Sequence, residues 1–496
     1  MNNASKHDIL PPLIAELLDD PVTYIDNVFA DGWKRLCFSS LIKKAGFSKR
    51  SGTDVNEVVY LLLIWKWLNV SSISVFTQKA IGLFSHAKKD VMYDMLKRED
   101  INWREFNVQS AKQVYKKHGL ENAKLKAFVL DDSIKQRRGK RMEGVSLHYD
   151  HVSNTNVIGQ QVLTLGLSTE DAFLPIDSQI SVGEKKAQGL RNNFDDGRSA
   201  GAKRYDEAVG KSKIQMAKSM IHRAVRAGIK ARYVIADAWF GNKTMIKAAL
   251  DLNMDAILRM KRGNMKYIVT FDGKRHELDA NECYQRLVRK NWKKIDGMPW
   301  KAVELSAEVD LCQETGKKAK PDIRKVKLLF VRGIKAEPDL DGSAKDWALF
   351  LCTDTELSAL TILQNYALRW SIEVYFKEAK QHLGFLKEQT LSFVSHTASI
   401  HLCAIRYLLL VDGKLSCNDA SIGQIRNQIQ KQLDSLNFAT SLWQVFRALV
   451  SGTLEQLRKK LRCPVNAIMR EIDDAVTQFF VQALQLDDLS LQRERM

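Results

Sequence analysis

Residues 365–385, NYALRWSIEVYFKEAKQHLGF, place Tyr366, Arg369, Glu373 and Lys380 at steps of three, four and seven. Those steps return to one face of an α-helix. Leu363, Trp370 and Val374 flank that face on one side, and Ile372, Tyr375, Phe376 and Leu383 on the other. The pattern predicts a largely buried helix carrying a polar stripe. A buried carboxylate ringed by a guanidinium, two ammonium groups (Lys377 and Lys380) and a phenol calls for a chemical purpose. Two further carboxylates end apolar runs: Asp131 follows Ala127–Leu130 in KAFVLDD, and Asp237 follows Tyr233–Ala236 in ARYVIADAWFGN. Brought together with Glu373, they repel unless a cation intervenes, and hard oxygen donors favour Mg2+ or Mn2+. Two such ions about 3.5–4 Å apart activate a water or a 3′-hydroxyl and stabilise the leaving oxygen of an in-line phosphoryl displacement. On this reading Glu373 is a metal ligand and its basic neighbours hold phosphates.

Each of these residues has a plainer reading. Glu373 with Arg369 and Lys377 also forms an ordinary helical ion-pair ladder, worth about 0.3–0.5 kcal/mol per exposed pair. Asp132 competes with Asp131, because a one-residue slip along a strand reverses its facing. GKS at 210–212 resembles the end of a phosphate-binding loop, but the glycine required five residues earlier is Tyr205, so no nucleotide is expected. His148 and His151 have a spacing a metal could use, but no Cys or His pair completes a zinc site. They read as hydrogen-bonded strand residues.

The elements that must position these groups form an α/β chain. The runs ending in Asp131 and Asp237 read as strands buried on both faces, as in the middle of a mixed sheet. Between them come a strand-like NVIGQQVLTLGLS (156–168), a polar glycine-rich loop (183–201) and a helix through KIQMAKSMIHRAVRAG. Residues 1–120 are helical, and Val55–Leu68 followed by SISVFTQKAIGLF fits either a helix-turn-helix or a plain helical bundle. Lys43, Lys44, Lys49 and Arg50 lie beside it. The expected organisation is therefore a helical DNA-binding segment at 1–120, a catalytic core at 121–262, a β-rich insertion at 263–344 (YIVTF, KAVELSAEVDLC, KVKLLFVRG), the core resumed at 345–398 with WALFLCTD and the Glu373 helix, and a helical end at 399–496, a possible dimerisation region.

Composition narrows the partners. The 496 residues, 45% hydrophobic, can bury several cores and suggest two to four domains. The net charge of +18, from 76 basic against 58 acidic residues, attracts polyanions, nucleic acid first. KQRRGKR (135–141, with Arg137 and Arg138), RMKRGNMK (259–266), RLVRKNWKK (286–294) and LRKKLR (457–462) are candidate phosphate contacts, which position DNA without specifying its sequence. No membrane role is expected: the apolar run at 58–70 is interrupted by Lys66 and falls short of the roughly 20 residues of a span. MNNASKHDIL carries no signal-peptide pattern. Seven scattered cysteines without a CxxC pair read as reduced thiols of a cytoplasmic protein.

The order Tyr366, Arg369, Glu373, Lys380 resembles the Y-R-E-K signature of DDE transposases of the insertion-sequence-four group, found in bacterial cut-and-paste elements. LDDS (130–133) and IADAWF (235–240) resemble that group's two aspartate motifs. The resemblance implies a ribonuclease-H-like mixed-sheet core with a β-rich insertion between all-α ends, and a catalytic, metal-binding triad of Asp131, Asp237 and Glu373 holding two Mg2+ ions, with Mn2+ as a substitute. It implies DNA contacts from Tyr366, Arg369, Trp370, Lys377 and Lys380, and a displaced base held by Trp370 and by a tryptophan of the insertion, Trp292 or Trp300. The implied partners are double-stranded DNA, as terminal inverted repeats and target, and a second copy in a paired-end complex, in a cytoplasmic, nucleoid-associated bacterial protein. A repressor derived from a transposase and a structure-specific nuclease are the alternatives.

Overall fold

The computed structural model describes residues 28–49, 51–68, 70–79, 85, 87–139, 141–150, 154–183, 194–312, 320–333, 346–417, 420–461 and 463–483. They fall into two compact units. One takes the described residues up to Phe106, Ser199–Gly201 and those from Ala379 onward; the other takes those of Asn107–Arg198 and Ala202–Glu378. These boundaries follow packing, whereas the divisions at 120 and 399 follow composition. His151, residues 80–84 of the helix-turn-helix candidate and most of the 183–201 loop lie outside the described residues.

The second unit is built on one sheet. Its strands are β1 (Lys126–Gln136), β2 (Ser146–Asp150), β3 (Thr155–Thr169), β4 (Phe173–Ser181), β5 (Tyr233–Ala236), β6 (Asp255–Met260), β7 (Tyr267–Phe271), β8 (Lys274–Leu278), β9 (Lys293–Lys294), β10 (Trp300–Asp310), β11 (Ile323–Gly333) and β12 (Trp347–Cys352). The order is β2-β3-β1-β5-β6-β12-β11-β10-β7-β8, with β4 on β3 and β9 on β10. β5 runs parallel to both β1 and β6, and the other pairings are antiparallel. The sheet is mixed, as the apolar runs predict. Ala127–Leu130 and Tyr233–Ala236 are fully buried because strands covered on both faces have no solvent side on which to place polar residues. The β-rich segment is not set apart from the core: β12 pairs with β6 on one side and β11 on the other, so β7–β11 prolong the sheet formed by β1, β5 and β6.

The helix Lys213–Arg226 starts at a capping box in which Ser212 and Gln215 satisfy each other's backbone donors, and it buries Met216, Ala217, Met220, Ile221 and Ala224. Ser212 of the GKS sequence is therefore an N-cap, and Gly210 ends the preceding helix Ala200–Gly210.

The first unit is helical. Val28–Arg35, Phe38–Lys44, Val55–Ile64 with the 3₁₀ turn Trp65–Leu68, Ile73–Lys79 and Lys89–Lys97 join Phe393–Ser416, Ile422–Gln456 and Val465–Ala483. Phe29, Trp33, Phe38 and Tyr60 meet edge to face, the geometry their ring quadrupoles favour. Arg35 pairs with the fully buried Asp412 at 2.7 Å. Phe393–Ser416 is long and apolar enough to cross a membrane by length and composition, but 94% of its apolar window is buried inside the unit. Among the described residues it is that helix, and not 58–70, that has the length and composition of a span. His396, His401, Arg406 and Asp412 within it obscure the run in the sequence.

Candidate active site

Sheet register sets two of the three carboxylates side by side. Leu130 pairs with Ala236 in the parallel β1–β5 ladder, so the next residues stand side by side: Asp131 within β1, where it still pairs with Thr164 of β3, and Asp237 just past the carboxyl end of β5. Asp131 accepts the Asp132 N–H at 2.8 Å, and Asp237 accepts the Trp239 N–H at 3.0 Å. Asp132 is engaged elsewhere: Lys213 Nζ pairs with it at 2.7 Å and Gln161 Nε2 donates to it at 2.9 Å. The Lys213 ammonium also stands 3.6 Å over the Trp239 ring. Asp131 is thus the residue that faces Asp237. Lys213 escaped the sequence reading because nothing in its local pattern distinguishes it from other basic residues at a helix start.

The segment carrying Glu373 is not a single α-helix. Ala359–Ala367 and Trp370–Glu378 are α-helical, and Ala379–Leu383 widens into a π turn. Between the two helices the bonds Leu368 N to Asn365 O (3.1 Å) and Arg369 N to Tyr366 O (3.0 Å) are of the tighter i→i+3 kind. The tightening shifts the phase of the following residues. Leu363, before the turn, is buried as predicted, but Trp370 is 65% and Val374 43% exposed, so past the turn that shoulder faces solvent and only the Ile372, Tyr375 and Phe376 side of Trp370–Glu378 is packed. Trp370 is consequently not a core residue.

β3 fixes this segment. Ser168 Oγ meets Ser371 Oγ at 2.8 Å and donates to the Leu368 carbonyl at 3.1 Å. Two residues earlier, at the irregularity where β3 and β4 shift register, a Cβ on Gly166 would lie 2.2 Å from Phe173 Cζ. Glycine lets the Phe173 ring settle against the backbone and pack 5.5 Å from Tyr375, two residues from Glu373.

Arg369 closes the arrangement. One of its guanidinium nitrogens lies 3.1 Å from Asp131, and another bonds Glu373. Burial pushes the Tyr366 phenol up to about 12, with Arg369, Arg259, Asp237 and Asp131 as its charged neighbours, and its ring packs edge-on 4.7 Å from Phe350. Burial first, and the Asp237 charge second, push Asp131 from 3.8 up to about 7. A raised carboxyl pKa means that the ionised form is disfavoured in the fold. The resulting penalty is complete above pH 7 and fades as pH falls towards 3.8. In chelator, Asp131→Asn is expected to stabilise the protein at pH 8 by at most about 4 kcal/mol, with the gain shrinking to under half by pH 5. Thermal melts at the two pH values check this; a gain equal at both would contradict it.

Asp131, Asp237 and Glu373 offer hard oxygen donors, and the crowding of negative charge at Asp131 is the kind a divalent cation relieves. The donor chemistry therefore fits Mg2+ or Mn2+. Among the described residues no three His, Cys, Asp or Glu side chains already converge closely enough to hold one ion. Glu373 is linked to Asp131 through Arg369, so the guanidinium stands where the third carboxylate would have to close on the other two.

The remaining predicted residues are placed as follows. Arg137 Nε donates to Gln160 at 2.9 Å just past the end of β1, and Arg138 is exposed. Lys377 is exposed, and the exposed Lys380 lies on the π turn, within the helical unit. Trp292 lies against Tyr284 and under the Arg332 guanidinium, 4.8 Å away, with its indole N–H buried and unbonded; Trp300, at the start of β10, is 39% exposed. Neither is brought to the carboxylates by a contact of the structure. His148 meets Ser146 Oγ at 2.8 Å, and its pKa is lowered mainly by burial.

No curated protein matches the chain. Residues 80–279, which include Asp131 and Asp237, match the family model described as DDE superfamily endonuclease. Residues 202–409, which include Asp237 and Glu373, match the one described as Transposase DDE domain. Domains of this class use divalent metal ions, generally Mg2+, and imply a DNA substrate. Together the two matches support a DDE transposase, a nuclease-type enzyme whose matched regions span the three carboxylates.

Proposed function

We propose that the protein is a cut-and-paste DNA transposase of the insertion-sequence-four group that binds the terminal inverted repeats of its own element, cleaves at their ends and joins the 3′-hydroxyls to target DNA. The observation that carries this reading is the register that places Asp131 beside Asp237, with Arg369 reaching from Asp131 to Glu373. Asp131, Asp237 and Glu373 would hold two Mg2+ ions in a ribonuclease-H-like core, and bound metal supplies activation of the attacking oxygen and stabilisation of the leaving one. The chain's own groups do the rest. Burial keeps Tyr366 a neutral phenol that can donate to a phosphate oxygen. Arg369 offers a planar fork suited to the same group. Trp370 presents an exposed indole on which a displaced base can stack. Lys377, Lys380, Arg137 and Arg138 add phosphate contacts, and Trp292 is the insertion's candidate for a second base contact. A dimer bridging two ends, in the cytoplasm at the nucleoid, completes the proposal.

The test is metal-dependent cleavage followed by end joining on a labelled terminal repeat. Cleavage with joining is expected. Cleavage without joining would make the protein a structure-specific nuclease, and binding without cleavage a repressor. Lys380→Ala is expected to weaken binding and to reduce the slope of log K against log[salt] by about 0.9, one phosphate's share. An unchanged slope would remove Lys380 from the interface.

A further inference from the structure

The helical unit holds a cationic site of its own. Arg406, completely buried, donates to the carbonyls of Leu62, Leu63 and Leu383. It thereby ties the last turn of the helix Val55–Ile64, just before the 3₁₀ turn that carries Lys66, to the end of the π turn that carries Lys380. Gly384, at φ +86°, lets the two approach: a Cβ there would stand 2.7 Å from Lys66 Cε. The Lys66 stem lies across this glycine, and its ammonium sits 3.8 Å over the Trp65 ring. Among the described residues that ammonium has no hydrogen bond or ion pair. Lys387, three residues past Gly384, donates to the Gln381 carbonyl at 2.9 Å. The one carboxylate among the charged groups acting on Lys66, Glu388, already accepts from His396 Nδ1 and Ser399 Oγ, both at 2.6 Å. Burial first, then the Arg406 and Lys387 charges, lower Lys66 to about 8.

Three cations gathered around one engaged carboxylate leave a positive excess with no counter-ion among the described residues, on a half-buried side chain whose stem is held in place. A phosphate monoanion supplies the missing charge, and a charge-assisted bond to it is stronger than one between neutral groups. We propose that Lys66 is a contact for a DNA-backbone phosphate, acting with Lys387 beside the Lys380 turn. This rests on the reading of the protein as DNA-binding.

Anisotropy of a fluorescein-labelled terminal-repeat duplex over a salt series tests it in wild type, Lys66→Gln and Lys66→Arg. The glutamine variant is expected to bind several-fold more weakly, with a log–log slope shallower by about 0.9, and the arginine variant to keep the wild-type slope. A glutamine variant with the wild-type slope overturns the assignment. Wild type that binds no DNA would instead defeat the functional reading itself. Acylation footprinting of the wild-type protein needs no variant to fold: DNA should protect Lys66, and an unprotected Lys66 counts against the site. Protection by inorganic phosphate alone at matched ionic strength would assign the pocket to a free ion and overturn the backbone contact.

Discussion

Glu373→Gln is expected to bind terminal-repeat DNA as wild type does and to lose metal-dependent cleavage by a factor on the order of 10³ or more, about 4 kcal/mol in the barrier. The substitution keeps the side chain's size and leaves an amide oxygen to accept from Arg369, so the segment held by Ser168 and Tyr375 is not disturbed. What disappears is one negative charge from the donor set. A neutral amide is a poor ligand for a hard divalent ion compared with a carboxylate. Single-turnover cleavage of a labelled repeat in Mg2+, measured beside anisotropy for binding, reads the two effects separately. Cleavage at the wild-type rate would place Glu373 outside the chemistry and return it to the role of an ion-pair partner for Arg369.

Arg406→Leu should cost about 3 kcal/mol of stability and lower the melting temperature by several degrees. Two effects oppose each other here. Burial lowers the Arg406 guanidinium to about 10, and removing a charge held at that cost returns about 3 kcal/mol. The carbonyls of Leu62, Leu63 and Leu383 then lose their donor, at about 1–3 kcal/mol for each buried acceptor left unmet. Three acceptors outweigh one charge, and leucine fills only part of the volume. Calorimetry gives the magnitude, and hydrogen exchange should show the loss concentrated at residues 62–68 and 379–387. An unchanged melting temperature would mean that water satisfies those carbonyls.

The acidic site was legible where chemistry coincides with strong local patterning. Asp131 and Asp237 stand out because each ends a continuous apolar run, and such runs identify buried central strands. Glu373 stands out through its spacing from Tyr366 and Arg369. The break at Leu368 and Arg369 was not legible, since Tyr366 to Glu373 fits an uninterrupted helix equally well, and tertiary bonds from Ser168 hold the tightened turn. β4 was missed for a related reason. FLPIDSQIS contains Pro175 and Asp177, residues rare in interior strands. Yet Asp177 is fully buried there because Arg223 meets it at 2.8 Å, with Arg204 at 3.6 Å. Partners so distant in sequence leave no local trace. The helical ends read as two segments because composition cannot reveal that Arg35 finds Asp412.

The continuity of the sheet through β12 limits how this enzyme can be trimmed or can have arisen. β12 bonds β6 with one edge and β11 with the other. A shortened protein lacking residues 263–344 would therefore leave a six-residue apolar strand, WALFLC, with a naked row of amide donors and acceptors, a template for self-association. The added strands act as a shield as well as an extension, and a viable miniature would need charge or proline on β12 to replace them.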